Sequence, residues 1–185
     1  MFRKLSILLV IGLLAFTAAC SSMSGSSTSA APAAGVAASV AAASAPSACP
    51  TKNTESFAKT KFVADVAIAG GAFKRYIYTP AKDGKFKKGA SGRFLAFVKA
   101  AAAGALTVNR LEAAKTAAQA NPTLCKVLAE PIAKFSAAVS GLIGKAKGGS
   151  IAPSDVDNAS GYLSGLHGAA SQGGAAFTDN TNTSA

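Results

Sequence analysis

The thiol and imidazole chemistry of this 185-residue chain rests on three cysteines and one histidine: Cys20, Cys49, Cys125 and His167. Beyond the first 20 residues only Cys49, Cys125 and His167 remain, one ligand short of the four that a tetrahedral metal site needs, so neither a metal nor a cofactor is predicted. His167 lies at the border of a predicted helix face, where a lone histidine is usually a hydrogen-bonded edge or core residue. The alternative is a hydrolase or lyase centre that pairs His167 with Glu112. Paired carboxylates, a nucleophile elbow and a phosphate-binding loop are all missing from the sequence, so an enzyme is not predicted.

The beginning of the chain has the composition of an export signal. Arg3 and Lys4 provide a positive start, and residues 5–19 form an apolar run rich in Leu, Ile and Val. This run is shorter than the ~20 residues that a membrane-spanning helix needs. Its length and flanks are typical of a signal peptide, which does not belong to the folded protein.

The residues Thr17-Ala18-Ala19-Cys20 close that run. They resemble the lipobox of bacterial lipoproteins. The resemblance implies a signal peptide over residues 1–19, lipidation of Cys20, and an extracytoplasmic protein held by its lipid to a bacterial membrane. The alternative is an ordinary secretory signal cut near Ala18 or Ala19, which would leave Cys20 as a plain thiol.

Composition divides the remaining chain into three parts. Residues 20–48 are mostly Ser, Ala, Gly and Pro, with no charge and almost no large side chain, and such a segment cannot bury enough apolar surface to offset its ordering entropy. We expect a flexible tether that typically spans ~30 Å. Residues 49–177 have the size of one folded domain. Residues 178–185 are polar and are expected to form a disordered tail.

Apolar residues at three- and four-residue steps predict four helices in the domain. The first covers residues 54–78 and is expected to end at Thr79-Pro80, because a residue before proline avoids helical geometry. The second and third cover about residues 91–120 and 123–147, and the fourth begins near Ser154, the predicted N-cap. The predicted buried stripe of the second helix is Phe94, Phe97, Ala101, Gly104, Val108 and Leu111.

Two features inside these helices need a structural explanation. Gly70-Gly71 interrupts the first helix, and it indicates either a close crossing or a kink. Pro131 interrupts the third, but the apolar period continues on both sides, so one kinked helix is predicted. Together the four helices predict an all-α fold, an antiparallel up-down four-helix bundle that follows the disordered tether.

Cys49 and Cys125 remain as a pair after Cys20 is set aside. In an oxidising compartment such a pair usually forms a disulfide. Cys49 precedes the first predicted helix and Cys125 lies in the first turn of the third, so an up-down bundle places both at the same end. A disulfide between them is therefore predicted, with two free thiols as the alternative.

The full chain has a formal net charge of +11, and its positive charge is concentrated in one part of the sequence. The predicted topology brings the first and third helix connections to one end, opposite the lipid anchor and the disulfide. The acids expected there are Asp83, Asp155 and Asp157. We call this end the basic pole; its cations are Lys74, Arg75, Lys82, Lys85, Lys87, Lys88, Arg93, Lys145 and Lys147.

The basic pole leads to the first hypothesis, a non-enzymatic envelope protein that contacts anionic lipid, an acidic wall polymer or a protein partner. Solvated lysines that only keep the protein soluble are the plain alternative. No nucleic-acid recognition motif is present, so nucleic acid is not an expected partner, and the oligomeric state is not indicated. The second hypothesis is a carrier of an apolar ligand inside the bundle, in a cavity left by small residues. Those residues are Gly70, Gly71, Ala101, Gly104 and Ala105.

Overall fold

The computed structural model describes residues 49–182, and the predictions for residues 1–48 lie outside that range. The described residues are helical and contain no strand, which confirms the all-α class. The helices are α1 (Ala58–Phe73), α2 (Thr79–Lys82), α3 (Arg93–Gln119), α4 (Pro122–Lys147) and α5 (Pro153–Gln172), and a π-helical turn (Lys74–Tyr78) joins α1 to α2.

The helix that begins as α1 does not end at Thr79-Pro80, and that prediction is wrong. In the π-helical turn the Thr79 N–H donates to the carbonyl of Lys74, five residues back. Pro80 follows in the first turn of α2. It has no N–H to donate, and the change of hydrogen-bond register in the π-helical turn comes just before this missing bond. The wider turn therefore lets the helix continue to Lys82.

The ends of α3 and α4 lie within two residues of the predicted ends. The side chain of Asn121 is the N-cap of α4, accepting from the backbone N–H groups of Thr123 and Leu124 at 3.0 Å each. Pro131 lies inside α4, which is one helix as predicted.

The start of α5 uses a different residue from the predicted cap. Ser154 was expected to be the N-cap, but the helix begins one residue earlier, at Pro153. The Asp155 carboxylate instead accepts from the backbone N–H of Ala152 at 3.0 Å. A carboxylate near a helix start is favoured by the helix dipole, and the proline tolerates the first position.

One apolar cluster joins the long helices. Helix α3 packs against α1 and α4, and α5 packs against α4. The largest fully buried side chains are Phe62, Phe73, Phe135, Ile77, Leu111, Leu124, Leu128, Ile132, Leu163 and Leu166.

The predicted disulfide is confirmed: Cys49 and Cys125 are bonded, with their Cα atoms 5.6 Å apart. The bridge ties the segment before α1 to the first turn of α4. Asn53 reinforces this junction, because its side-chain oxygen accepts from the side-chain amide of Asn121 at 2.8 Å.

The buried stripe of α3 contains Phe97, Gly104 and Leu111 as predicted, whereas Ala101 and Val108 are only partly buried. Phe94 was expected to be buried, but it is 82 % exposed. The core at this end is filled instead by Phe86, from the connection before α3, whose ring centroid lies 5.0 Å from that of Phe97. Because a loop residue occupies the space, the first turn of α3 extends past the core with its apolar side chain uncovered.

Residues 178–182 differ from the expected disordered tail. The backbone N–H of Asn180 donates to the carbonyl of Ala67 in α1 at 2.8 Å. A Cβ atom at Gly71 would lie 1.7 Å from the Asn180 carbonyl oxygen, and one at Gly70 would lie 2.0 Å from an Asp179 carboxylate oxygen. The glycine pair therefore marks a close approach, made by this C-terminal segment and not by another helix. A polar composition does not reveal such a contact.

Candidate functional site

Two lysines of the predicted basic pole are paired with the two acids of α5. Lys82 Nζ lies 2.6 Å from an Asp157 carboxylate oxygen, and Lys145 Nζ lies 2.5 Å from one of Asp155. The hydrogen bond to Asp157 raises the pKa of Lys82, and the hydrogen bond from Lys145 lowers the pKa of Asp155. These two cations are therefore partly neutralised where they stand.

Lys74 and Arg75 bind the C-terminal segment. Lys74 Nζ lies 2.5 Å from a carboxylate oxygen of Asp179, and the Asp179 side chain is only 5 % exposed. Arg75 donates to the carbonyl of Thr181 at 2.9 Å. Both cations therefore have partners within the fold, which distinguishes them from the lysines of the connection between α2 and α3.

Arg93, at the start of α3, is held by the backbone on two sides. It donates to the carbonyl of Phe86 at 3.0 Å and to that of Gly149 at 2.6 Å. Its guanidinium also lies 4.7 Å from the centroid of the Phe97 ring. The charge of Arg93 is thus fixed at the point where the start of α3 meets the end of α4.

The other lysines of the pole are exposed, and none makes an ion pair with any of residues 49–182. They are Lys85, Lys87, Lys88 and Lys147. Lys99 shares these properties, and it lines a shallow hollow with Lys85 and Leu95. The sequence reasoning missed Lys99, although its position two turns into the predicted second helix was a usable signal.

Three exposed apolar side chains lie beside some of these lysines: Leu95 lines the hollow with Lys85 and Lys99, and Phe94 and Val98 line a groove with Lys147. Lys87 and Lys88 belong to the connection just before α3. Phe94, Leu95 and Val98 are 82 %, 55 % and 48 % exposed, respectively. Scattered exposed apolar residues are ordinary, but a group on one helix turn beside unpaired cations is typical of an interaction site. We call this group the α3 surface; it consists of Phe94, Leu95, Val98, Lys85, Lys87, Lys88, Lys99 and Lys147.

A groove of about 580 Å³ lies between the start of α3 and the end of α4, and it shares Phe94, Val98 and Lys147 with the α3 surface. Most of its lining is apolar, and it carries two cations and no acid. The lining residues are Arg93, Phe94, Phe97, Val98, Ala101, Ala146, Lys147 and Gly149.

His167 and Glu112 have separate partners. The Nε2 atom of His167 lies 3.1 Å from an Asp179 carboxylate oxygen, and its ring stacks on Phe177 with centroids 3.9 Å apart. Glu112 is exposed and pairs with Lys115 on its own helix. This is the geometry of a histidine that anchors a C-terminal segment. Within residues 49–182, no three His, Cys, Asp or Glu side chains form a group suited to a metal ion.

The small residues considered for an internal ligand cavity are packing positions. Gly70 and Gly71 face the C-terminal segment, and a Cβ atom at Gly104 would lie 2.5 Å from the side chain of Ile143. Ala101 and Ala105 are exceptions, because Ala101 lines the groove between α3 and α4 and Ala105 is exposed. This groove is open to the surface, whereas the carrier hypothesis predicted a cavity inside the bundle.

Helices α3 and α4 are each long and apolar enough to cross a membrane by length and hydropathy alone. Core helices of soluble proteins pass the same test, so this observation is weak evidence for a membrane span.

Comparison with known proteins adds no assignment. No family model, no curated protein and no solved structure matches the chain. The function must therefore be argued from the residues of the chain itself.

Proposed function

We propose that this protein is a lipid-anchored, extracytoplasmic and non-enzymatic envelope protein whose α3 surface contacts anionic lipid headgroups. The observation that carries the proposal is the exposed group Phe94, Leu95 and Val98 on the first turns of α3, with unpaired lysines beside it. Peripheral membrane-binding helices combine apolar side chains that enter the headgroup boundary with lysines that meet anionic headgroups.

The apolar residues favour a lipid surface over an acidic wall polymer. A polymer of sugars and phosphates would satisfy the lysines but would leave Phe94 and its neighbours without an apolar partner. A bilayer accommodates both, because long lysine side chains keep their charge in water while their methylenes cover apolar surface.

We infer an antiparallel up-down arrangement of the four long helices, which places the α3 surface at the end of the bundle opposite the disulfide. In support, Arg93 at the start of α3 meets Gly149 just after α4, while Gly104 further along α3 lies against Ile143 of α4. The disulfide lies at the opposite end of α4. A tether over residues 20–48, anchored at lipidated Cys20, would let this domain tip and lay the α3 surface on the bilayer.

The proposal is tested by sedimenting a fragment of residues 44–185, whose described residues 49–182 share one apolar core, with vesicles that contain anionic lipid. Each lysine near an anionic surface contributes about 1 kcal/mol. Reversal of Lys85, Lys87 and Lys88 to Glu should therefore weaken vesicle binding by at least about 100-fold at low salt. Wild-type binding should also fall steeply as salt is added.

The matched control reverses Lys52, Lys59 and Lys126, which are exposed, make no ion pair within residues 49–182 and lie outside the α3 surface. It changes the net charge equally, so equal losses in both variants would reduce the effect to overall charge and sink the proposal. Replacement of Phe94, Leu95 and Val98 by Ser should weaken vesicle binding and leave binding to an anionic polymer unchanged. Binding to the polymer alone would move the assignment to the cell wall.

A further inference from the structure

The groove between α3 and α4 differs from the α3 surface in shape and in the ligand it suits. A bilayer contacts a convex surface, whereas this groove is concave, and its volume of about 580 Å³ is that of a small-molecule site. Phe97 and Ala146 form its buried floor, being 7 % and 4 % exposed. Phe94 and Val98 form an open apolar wall.

Charge in the groove is confined to its two cations. Arg93 is fixed by the carbonyls of Phe86 and Gly149, so its position is set before any ligand binds. Lys147 is exposed and makes no ion pair with any of residues 49–182. Because no carboxylate lines the groove, an anion placed beside these cations meets no repulsion from the lining.

The two cations lie where α3 begins and α4 ends, while Ala101 lies two turns further along α3. The groove therefore has a charged mouth and an apolar interior. A ligand that matches both has one anionic head and one apolar chain.

We propose that this groove binds a free fatty acid, with the carboxylate at Lys147 near Arg93 and the chain along Phe97, Val98 and Ala101. This goes beyond the contact with a bilayer, since the ligand is a single molecule held between two helices. A two-chain phospholipid carries a bulkier head and a second chain that the single groove does not accommodate.

The test uses the full chain reconstituted in uncharged phosphatidylcholine vesicles with a trace of photoactivatable, diazirine-bearing palmitate. After irradiation, mass spectrometry should locate the label on the residues of the groove, and added palmitate should remove it. Ala101→Phe fills the interior and should reduce labelling at least about fivefold. The matched control Ala102→Phe alters the next, exposed residue and should leave labelling unchanged.

The charged mouth is tested separately. Lys147→Gln should lower labelling by palmitate several-fold, whereas Lys145→Gln, which removes the lysine paired with Asp155, should not. Labelling that survives Ala101→Phe, or that is spread over the chain, would overturn the site. Equal labelling by a diazirine-bearing hexadecanol or phospholipid would overturn the assignment to a fatty acid.

This inference and the proposed function fail in different ways. Reversal of Lys85, Lys87 and Lys88 should abolish binding to anionic vesicles and leave palmitate labelling unchanged, because none of the three lines the groove. Ala101→Phe should reduce palmitate labelling and leave binding to anionic vesicles unchanged. Circular dichroism of each variant shows whether the helices are retained. Val98→Asp alters the open wall, which the groove shares with the α3 surface, without filling the buried floor, so it should lower both palmitate labelling and vesicle binding.

Discussion

At the scale of single residues, the cations of the basic pole differ in whether they make an ion pair. Lys74, Lys82 and Lys145 are paired with carboxylates, while Lys85 and Lys147 make no ion pair with any of residues 49–182. The sequence predicts that all of them belong to one basic pole. The acids that pair with Lys74 and Lys82 lie far away in the chain, so only the fold distinguishes a structural lysine from one available to a ligand.

Gly71 gives a direct test of the docked C-terminal segment. In Gly71→Ala the added methyl group would lie 1.7 Å from the Asn180 carbonyl oxygen, so the segment must shift away from α1. We expect the free energy of unfolding to fall by about 1–3 kcal/mol, the usual cost of overpacking. Chemical denaturation measures this loss, and hydrogen exchange at the Asn180 amide should become faster as its bond to Ala67 breaks.

Gly165→Ala is the control for that substitution. Gly165 lies within α5 with open space around its Cα atom, so alanine there should be neutral or stabilising by up to about 1 kcal/mol. If Gly71→Ala behaved in the same way, with Asn180 still protected from exchange, the close contact between the segment and α1 would be refuted.

At the scale of secondary-structure elements, a predicted helix end agrees with the structure where local sequence signals determine it. The ends of α3 and α4 were predicted within two residues, because Asn121-Pro122 stops one helix and begins the next through local geometry. The continuation past Pro80 was not predicted. It depends on a π-helical turn whose hydrogen bonds shift by one residue, and apolar spacing does not encode that shift.

The disulfide links elements that are distant in the chain, and its removal should be costly. Cys49 and Cys125 are separated by 76 residues, and opening a loop of this size should lower the free energy of unfolding by about 4 kcal/mol. We expect this loss in urea denaturation of the double variant Cys49→Ser and Cys125→Ser. A reducing agent should destabilise the wild type to the same extent and leave the variant unchanged. Equal stability of the oxidised and reduced wild type would contradict the prediction.

At the scale of the whole molecule, charge and apolar surface decide which environment the helices suit. Helices α3 and α4 pass a hydropathy test for membrane spans, yet each carries charged side chains around its middle. Arg110 of α3 pairs with Asp65 of α1, and Glu130 of α4 pairs with Lys134. A bilayer interior would leave such side chains poorly solvated, so we interpret both as helices of a water-exposed domain.

Residues 44–185 should therefore fold as one cooperative unit in water without detergent. The buried side chains of α1, α3, α4 and α5 belong to a single cluster, so no helix has a core of its own to retain. Circular dichroism and intrinsic tyrosine fluorescence should report one thermal transition with the same midpoint. Two separate transitions, or a need for detergent, would contradict this expectation.

The sequence by itself determined the helical class, the extent of the two longest helices and the cysteine pairing. These follow from local periodicity, from capping and from the count of thiols, all of which act over a few residues or leave few alternatives. Only the tertiary structure decided which lysines are paired, that Phe94 is exposed beside a groove, and that the C-terminal segment lies on Gly70 and Gly71. Each depends on contacts between residues far apart in the chain, and neither composition nor spacing records which distant surfaces meet.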